Sequence, residues 1–374
     1  MVRYLARAVV AGVCLLAPNR SSAAIAFNIT NQGNASAQMM AGFAQAASIW
    51  SAWLMDPITI NVRVNALALP AGQLGATGAF YNTFAYADVR QAMLNDRLTL
   101  EDNTSTSHLQ PGPAFSMLIN RTANNPAGVV SATPYFDNGQ GGPGQAGPEN
   151  NSTIRMSTAN AKALGLVGYD PTLFDATINF TTLQGFDFGP SNGINANQVD
   201  FVGVAVHEIG HMLGFLSGVD TLDGNGNAPG LNDNQLKFVT PLDLFRFSTR
   251  STAGIGGGGI GVNDWTDDNT AKYFSTDGGP TAVATFSDGI TFGDGAGAGH
   301  WKDNLGAGIM DPSAGLGELL KISQNDLRAM DVIGYDLNTM LPEPSSLTAA
   351  AGFAIMMTNR RRCKTHCTRT RVTI

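Results

Sequence analysis

Two histidines and a glutamate lie close together in one apolar, helix-forming stretch, V-A-V-H-E-I-G-H-M-L-G-F, which begins at Val204. His207 and His211 are four residues apart, so a helix places both imidazoles on one face, where they can bind the same metal ion. Glu208 would lie beside the open coordination position, where a carboxylate can accept a proton from metal-bound water. The pattern predicts metal-assisted hydrolysis with zinc as the ion and Glu208 as the general base.

Gly214 and Ser217 decide how far this pattern continues. Gly214 follows His211 by three residues, and a glycine can take the left-handed conformation that ends a helix sharply. With this glycine, the stretch resembles the metzincin zinc endopeptidases, whose pattern is H-E-x-x-H-x-x-G-x-x-H. Ser217 stands where that pattern has its last histidine, and a neutral serine is a poor zinc ligand. The third ligand must therefore come from elsewhere, or the site is inactive.

A second group of residues, H-W-K at His300 followed by Met310, extends the resemblance to the leishmanolysin-like metzincins. In that family a long insertion separates the helix from the third histidine, and a methionine turn follows. The insertion here would span 300 − 211 = 89 residues. The resemblance implies that His300 is the third ligand and that Met310 forms an apolar floor under the zinc without binding it.

Two other third ligands stay open. Asp220 lies three residues after Ser217 and would complete a site of two histidines and one carboxylate, as some zinc enzymes have. Ser217 occupies the family position but would need to ionise in order to bind well.

Calcium is a further candidate ion, at the D-G-N-G-N run of residues 223–227. Its alternating side-chain oxygens have a spacing that can hold calcium. Ala228 stands where an EF-hand needs glycine, so an Asx-rich turn is favoured over a calcium loop.

Helical and strand-like periodicities alternate along the chain and predict the α+β class. The resemblance implies a two-subdomain metzincin-like fold, with a sheet and the active-site helix above and an irregular lower part that contains the methionine turn and a C-terminal helix. The strand at 176–180 would border the cleft and pair with substrate, and Asn195 or Asn197 would cap the active-site helix. The predicted helices are 37–54, 88–96, 158–164, 197–214 and 323–334, and the predicted strands are 58–64, 115–119, 176–180 and 241–247. Regular structure is also expected to resume at 154–156 after the loop.

Composition limits the class of protein. The chain has 374 residues, of which 43% are hydrophobic and 14% charged, which is enough for a sizeable core and is not typical of a disordered protein. Residues 25–341 carry 13 Lys and Arg against 28 Asp and Glu, a net charge of 13 − 28 = −15, which disfavours nucleic-acid binding. All three cysteines lie outside this part, so it has no internal disulfide.

The segment 124–151, rich in Gly, Pro and Asn, is predicted to be a surface loop.

Both ends carry targeting patterns. Residues 1–24 combine early arginines, an apolar run and a small-residue end, which is typical of a secretory signal peptide. Residues 341–374 begin L-P-E-P-S-S, continue with an apolar stretch and then reach R-R-R, and resemble the PEP-CTERM sorting tag of Gram-negative bacteria. We therefore expect a catalytic domain at 25–340 (upper part 25–214, lower part 215–340) between a signal peptide and a sorting tail. The expected location is secreted or cell-envelope associated, and the expected partners are the export and sorting machinery.

These features favour a secreted zinc-dependent endopeptidase that acts on protein or peptide substrates through zinc-activated water. The alternative is a non-catalytic extracellular matrix or surface protein with a metzincin-like fold. The presence of Glu208 argues against the alternative, because a purely structural zinc site gains nothing from a carboxylate beside the open position.

Overall fold

A computed structural model describes residues 24–138, 149–227, 230–253, 261–339 and 371–373 of the chain. The described residues form a mixed arrangement of helices and several sheets, which confirms the predicted α+β class. Several predicted segments lie wholly or mostly outside the described residues: the signal peptide (1–24), the centre of the surface loop (139–148) and most of the sorting tail (341–374).

Helices and strands alternate along the described residues. The helices are α1 (Ala37–Trp53), α2 (Tyr86–Asp96), α3 (Leu100–Ser107), α4 (Glu149–Ser152), α5 (Thr158–Ala163), α6 (Phe201–Leu213), α7 (Asp220–Asn227), α8 (Thr249–Thr252) and α9 (Gln324–Val332). The strands are β1 (Ala26–Asn31), β2 (Thr59–Leu67), β3 (Gly75–Ala79), β4 (Tyr81–Ala85), β5 (Met117–Ile119), β6 (Tyr135–Asp137), β7 (Thr153–Ser157), β8 (Ala176–Thr181), β9 (Phe186–Asp187), β10 (Val199–Asp200), β11 (Arg246–Phe247), β12 (Asn263–Trp265), β13 (Tyr273–Phe274), β14 (Ala284–Thr285), β15 (Ser313–Gly315) and β16 (Arg371–Thr373).

The largest sheet has the strand order β1-β2-β8-β3. The first three strands run parallel, whereas β3 pairs antiparallel with β8. The apolar residues of β2 alternate along the strand and are buried: Ile60, Val62, Val64 and Ala66. This period of two, which is visible in the sequence, gives β2 one face directed into the core.

Helices α1 and α6 cover this sheet and contact each other. The indole of Trp50 on α1 donates to the backbone oxygen of Val206 on α6 at 2.9 Å, and a Cβ at Gly42 would lie only 2.6 Å from the Phe201 ring. The ring of Phe201 also packs against Phe180 of β8, with centroids 4.8 Å apart. These contacts pack α6 against both α1 and the sheet.

The prediction that residues 176–180 border the cleft was wrong. They form β8, which lies between β2 and β3, so both of its edges are already paired. The edge strand is β3, with the sequence G-A-T-G-A. It carries no large apolar or aromatic residue and only one β-branched residue, so it lacks the local signal that marks most strands.

Smaller sheets and the other helices, among them α9, make up the rest of the described chain. Helix α9 begins after Ser323 with a capping box to Asp326, as predicted, and Gly334 follows it in the left-handed region at φ 104°. The predicted strand 241–247 is instead a 3₁₀ turn over Leu242–Phe245 followed by the short β11. The predicted loop 124–151 contains β6 and the beginning of α4. Among the helices of the described residues, none has the length and apolar character needed to cross a membrane.

Candidate metal centre

Helix α6 carries the first two histidines. Asp200 caps its N-terminus by accepting from the backbone N–H of Gly203 at 3.0 Å, which corrects the predicted caps Asn195 and Asn197. Gly214 ends the helix in the left-handed region at φ 117°, as predicted. The backbone of Phe215 therefore turns back, and its carbonyl oxygen reaches the His211 ring at 2.7 Å.

The structure brings His207, His211 and His300 together. The Nε2 atom of His211 lies 3.0 Å from Nε2 of His207 and 3.1 Å from Nε2 of His300. One nitrogen from each ring lies within 4.8 Å of the others, close enough for all three to bind one metal ion. For comparison, nitrogens bound tetrahedrally at about 2.0–2.1 Å from zinc lie about 3.3 Å apart.

Backbone carbonyls orient all three rings. Nδ1 of His207 lies 2.8 Å from Ile309 O, Nδ1 of His211 lies 2.7 Å from Phe215 O, and Nδ1 of His300 lies 2.9 Å from Gly297 O. Because a carbonyl oxygen can only accept, each Nδ1 carries the proton and donates it. The lone pairs are therefore on the three Nε2 atoms, which point toward one another as metal ligands do.

Burial keeps these imidazoles neutral. It lowers the pKa of His207 well below 6.5, with the neighbouring His211 and His300 adding to the effect, and it lowers the pKa of His211 to about 3. The pKa of His300 is also lowered, again chiefly by burial. Neutral imidazole is the form that binds metal. His207 is fully buried, whereas His211 and His300 are partly exposed, so the centre opens on their side.

Glu208 is buried beside strand β3. The hydroxyl of Thr77 donates to its Oε2 at 2.5 Å, and a Cβ at Gly75 would overlap with its Oε1. Burial raises the pKa of Glu208 to about 7, and the hydrogen bond from Thr77 opposes that rise. Sequence reasoning missed both Thr77 and Gly75, because nothing in G-A-T-G-A indicates contact with a residue more than a hundred positions away.

The other two candidates for third ligand have different partners. Asp220 accepts from the backbone N–H of Ala298 at 2.8 and 3.1 Å, next to the Gly297 carbonyl that orients His300. Ser217 donates its hydroxyl to Asp243 at 2.6 Å. Among the described residues, the three histidines are the group of potential ligands that lies within reach of one ion.

Met310 is fully buried against α6. A Cβ at Gly210, the residue before His211, would overlap with the Met310 sulfur. The absence of a side chain at Gly210 therefore lets the methionine approach the helix backbone beside the histidines.

The D-G-N-G-N run is helical, which corrects the predicted Asx-rich turn. Residues 223–227 belong to α7 and form neither an Asx-rich turn nor a calcium loop. The carboxylate of Asp223 accepts three successive backbone N–H groups, those of Ile290, Thr291 and Phe292. The segment lacks the loop conformation that EF-hand calcium binding needs.

Comparisons with known proteins do not add to this description. The chain matches no family model, no curated protein and no solved structure.

Proposed function

We propose that the chain is a zinc-dependent endopeptidase of metzincin type, in which His207, His211 and His300 bind one zinc ion. The convergence of their three neutral Nε2 atoms carries this proposal. Three-histidine sites with an open fourth position are typical of catalytic zinc. Bound there, zinc would act as a Lewis acid that polarises the scissile carbonyl and acidifies water.

Glu208 has the role of general base in this proposal. Its carboxylate accepts the proton of the attacking water and returns it to the leaving amine. Thr77 holds Oε2 of that carboxylate, and Gly75 leaves room for Oε1. Both residues fix the position of Glu208 from the edge of the sheet.

The substrate we propose is an extended protein segment that pairs with β3. This strand ends the sheet, so its outer edge has no partner strand among the described residues. An added peptide strand would be held by main-chain hydrogen bonds, and it would run past the residue that contacts Glu208.

The first experiment separates catalysis from metal binding. In Glu208→Gln we expect zinc to stay near one ion per chain, while turnover of denatured casein falls by about two to four orders of magnitude, the usual worth of a positioned proton acceptor. Glu101→Gln is the matched control, because Glu101 on α3 pairs with Arg328 on α9 at 2.7 Å and does not contact the histidines. Loss of zinc from Glu208→Gln would contradict the role of general base. Absence of activity in the zinc-loaded wild type would favour the non-catalytic alternative, whereas activity that a chelator does not abolish would contradict zinc catalysis.

We also propose export with processing at both ends. The mature protein should begin near Ile25 and lack the residues after about Pro344, because sorting tags are removed during export. Intact-mass measurement of protein from the native cell envelope tests this. A mass that includes residues 360–374 would contradict the sorting proposal.

A further inference from the structure

Asp326 of α9 is a fully buried carboxylate with four hydrogen-bond donors. Its Oδ2 accepts from the backbone N–H groups of Ile309 at 2.8 Å and Ser323 at 2.7 Å. Its Oδ1 accepts from the indole N–H of Trp301 at 2.8 Å and from the backbone N–H of Met310 at 3.3 Å. Both oxygens are thus occupied by donors from three separate stretches of chain.

Two of these donors lie directly beside metal-binding histidines. Trp301 follows His300 in the chain, and its indole is fully buried. The carbonyl of Ile309 accepts from Nδ1 of His207 at 2.8 Å, while the N–H of the same residue donates to Asp326. The Ile309 carbonyl shares its peptide unit with the Met310 N–H, which donates to the same carboxylate at 3.3 Å. One carboxylate therefore holds the peptide units on both sides of Ile309, one of which orients His207, and the residue attached to His300.

The same carboxylate is part of the capping box of α9. The Ser323 hydroxyl accepts from the Asp326 N–H at 3.2 Å, and the Ser323 N–H donates to the Asp326 carboxylate. This reciprocal pair satisfies two backbone donors at the helix N-terminus. A side chain at Gly308 would overlap with the carboxylate, so the turn before Ile309 is closely fitted to it.

We propose that Asp326 is a positioning residue that holds His207 and His300 for metal binding and couples metal loading to the docking of α9. This inference rests on the proposed metal centre but not on catalysis. If the carboxylate stabilises the metal-binding arrangement, bound metal must by reciprocity stabilise the N-terminus of α9. Groups that orient metal-binding histidines typically affect metal affinity about 10- to 100-fold.

The first test is the zinc affinity of Asp326→Asn, measured by competition with a chromophoric chelator. An amide keeps one accepting oxygen and places an NH₂ donor against N–H donors, so we expect zinc binding to weaken about 10- to 100-fold. Asp331→Asn is the matched control: the same change, on the same helix, at a carboxylate that accepts from Thr99 rather than from the metal-centre backbone. We expect its zinc affinity to equal that of the wild type. Equal affinity in wild type and Asp326→Asn would overturn the inference.

The second test is hydrogen exchange over α9 with and without zinc. Zinc should slow exchange at the N-terminus of α9 in the wild type and in Asp331→Asn, and should do so much less in Asp326→Asn. Exchange that is independent of zinc in a wild type that binds zinc would overturn the coupling. A wild type that binds no zinc would instead overturn the proposed function, so the two failures are distinguishable.

A milder variant covers the case in which Asp326→Asn does not fold. Trp301→Phe removes the indole N–H from Oδ1 and part of the ring volume, and keeps an aromatic ring to pack against Phe286, whose centroid lies 4.9 Å from that of Trp301. We expect it to fold and to bind zinc more weakly, by about tenfold or less, the lower end of the range for such groups. The absorption bands of the cobalt-substituted protein should shift as well, because the orientation of His300 changes. Unchanged affinity and unchanged bands would overturn the inference.

Discussion

Helix α9 carries two buried carboxylates five residues apart, Asp326 and Asp331, in opposite surroundings. Asp326 is fully buried and accepts four N–H donors. Asp331 is 3% exposed and accepts only the Thr99 hydroxyl, at 2.8 Å, and its Oδ1 has no donor among the described residues. Burial and the nearby Asp102 carboxylate raise the pKa of Asp331 to about 8.

The difference shows what a buried carboxylate does in each setting. Desolvation disfavours the charged form at both positions. At Asp326 burial still raises the pKa, but the four donors oppose that rise, and the carboxylate organises the chain around it. At Asp331 acidic neighbours add to it. Buried carboxyls with acidic neighbours also occur outside α9. Burial and the nearby Asp336 raise the pKa of Asp56 to about 8 and that of Asp96 to about 7.

The largest predicted effect is the loss of zinc binding when His300 is replaced. We compare it with replacement of Asp220, a carboxylate that lies next to His300 and positions it. If His300 is one of three ligands, as proposed, His300→Ala should weaken zinc binding by orders of magnitude and abolish proteolysis. Asp220→Ala removes the acceptor for Ala298 N–H and should weaken zinc affinity by about 10- to 100-fold, so that the variant still binds the metal. Zinc content after gel filtration and competition titration measure both effects.

Ser217→Ala is the control for that pair, because its hydroxyl binds Asp243 and not a ligand. We expect its zinc affinity to stay within a few-fold of the wild type. Zinc retained by His300→Ala and lost by Asp220→Ala would transfer the third-ligand role to Asp220 and remove the leishmanolysin resemblance.

Features encoded within a short stretch could be predicted from the sequence. The helix with His207 and His211, its end at Gly214 and the capped start of α9 each depend on residues within a few positions of one another. The resemblance also identified His300 as a candidate, and the structure places it beside the other two histidines.

Contacts between distant residues could not be predicted in the same way. Thr77 and Glu208 are 131 positions apart, and the order of strands that makes β3 the edge depends on tertiary packing. The capping-box position of Asp326 was visible in the sequence, but its bonds to Trp301 and Ile309 were not. Residues 223–227 appeared turn-like from composition, whereas tertiary contacts of Asp223 accompany a helix there.

The smallest predicted effect is a change in stability at Asp331. Its pKa is raised in the folded protein, to about 8 from 3.8, so the folded state binds this proton more tightly than the unfolded state does. Stability from this group is therefore complete below pH 4 and is lost as pH rises toward 8. Asp331→Asn removes the ionisation, so its stabilisation over the wild type should be near zero at pH 4 and should reach on the order of 1 to 3 kcal/mol at pH 9.

Chemical unfolding at pH 4, 7 and 9, with chelator present to exclude metal effects, measures this difference in the free energy of unfolding. Asp326→Asn provides the contrast, because it should destabilise the protein at pH 7 and 9, where its carboxylate serves four donors. Asp56 and Asp96 titrate in the same pH range, so part of the wild-type pH dependence should remain in Asp331→Asn. A destabilisation by Asp331→Asn at pH 9 as large as that by Asp326→Asn would mean that both carboxylates organise their surroundings. The contrast between the two ends of α9 would then be wrong.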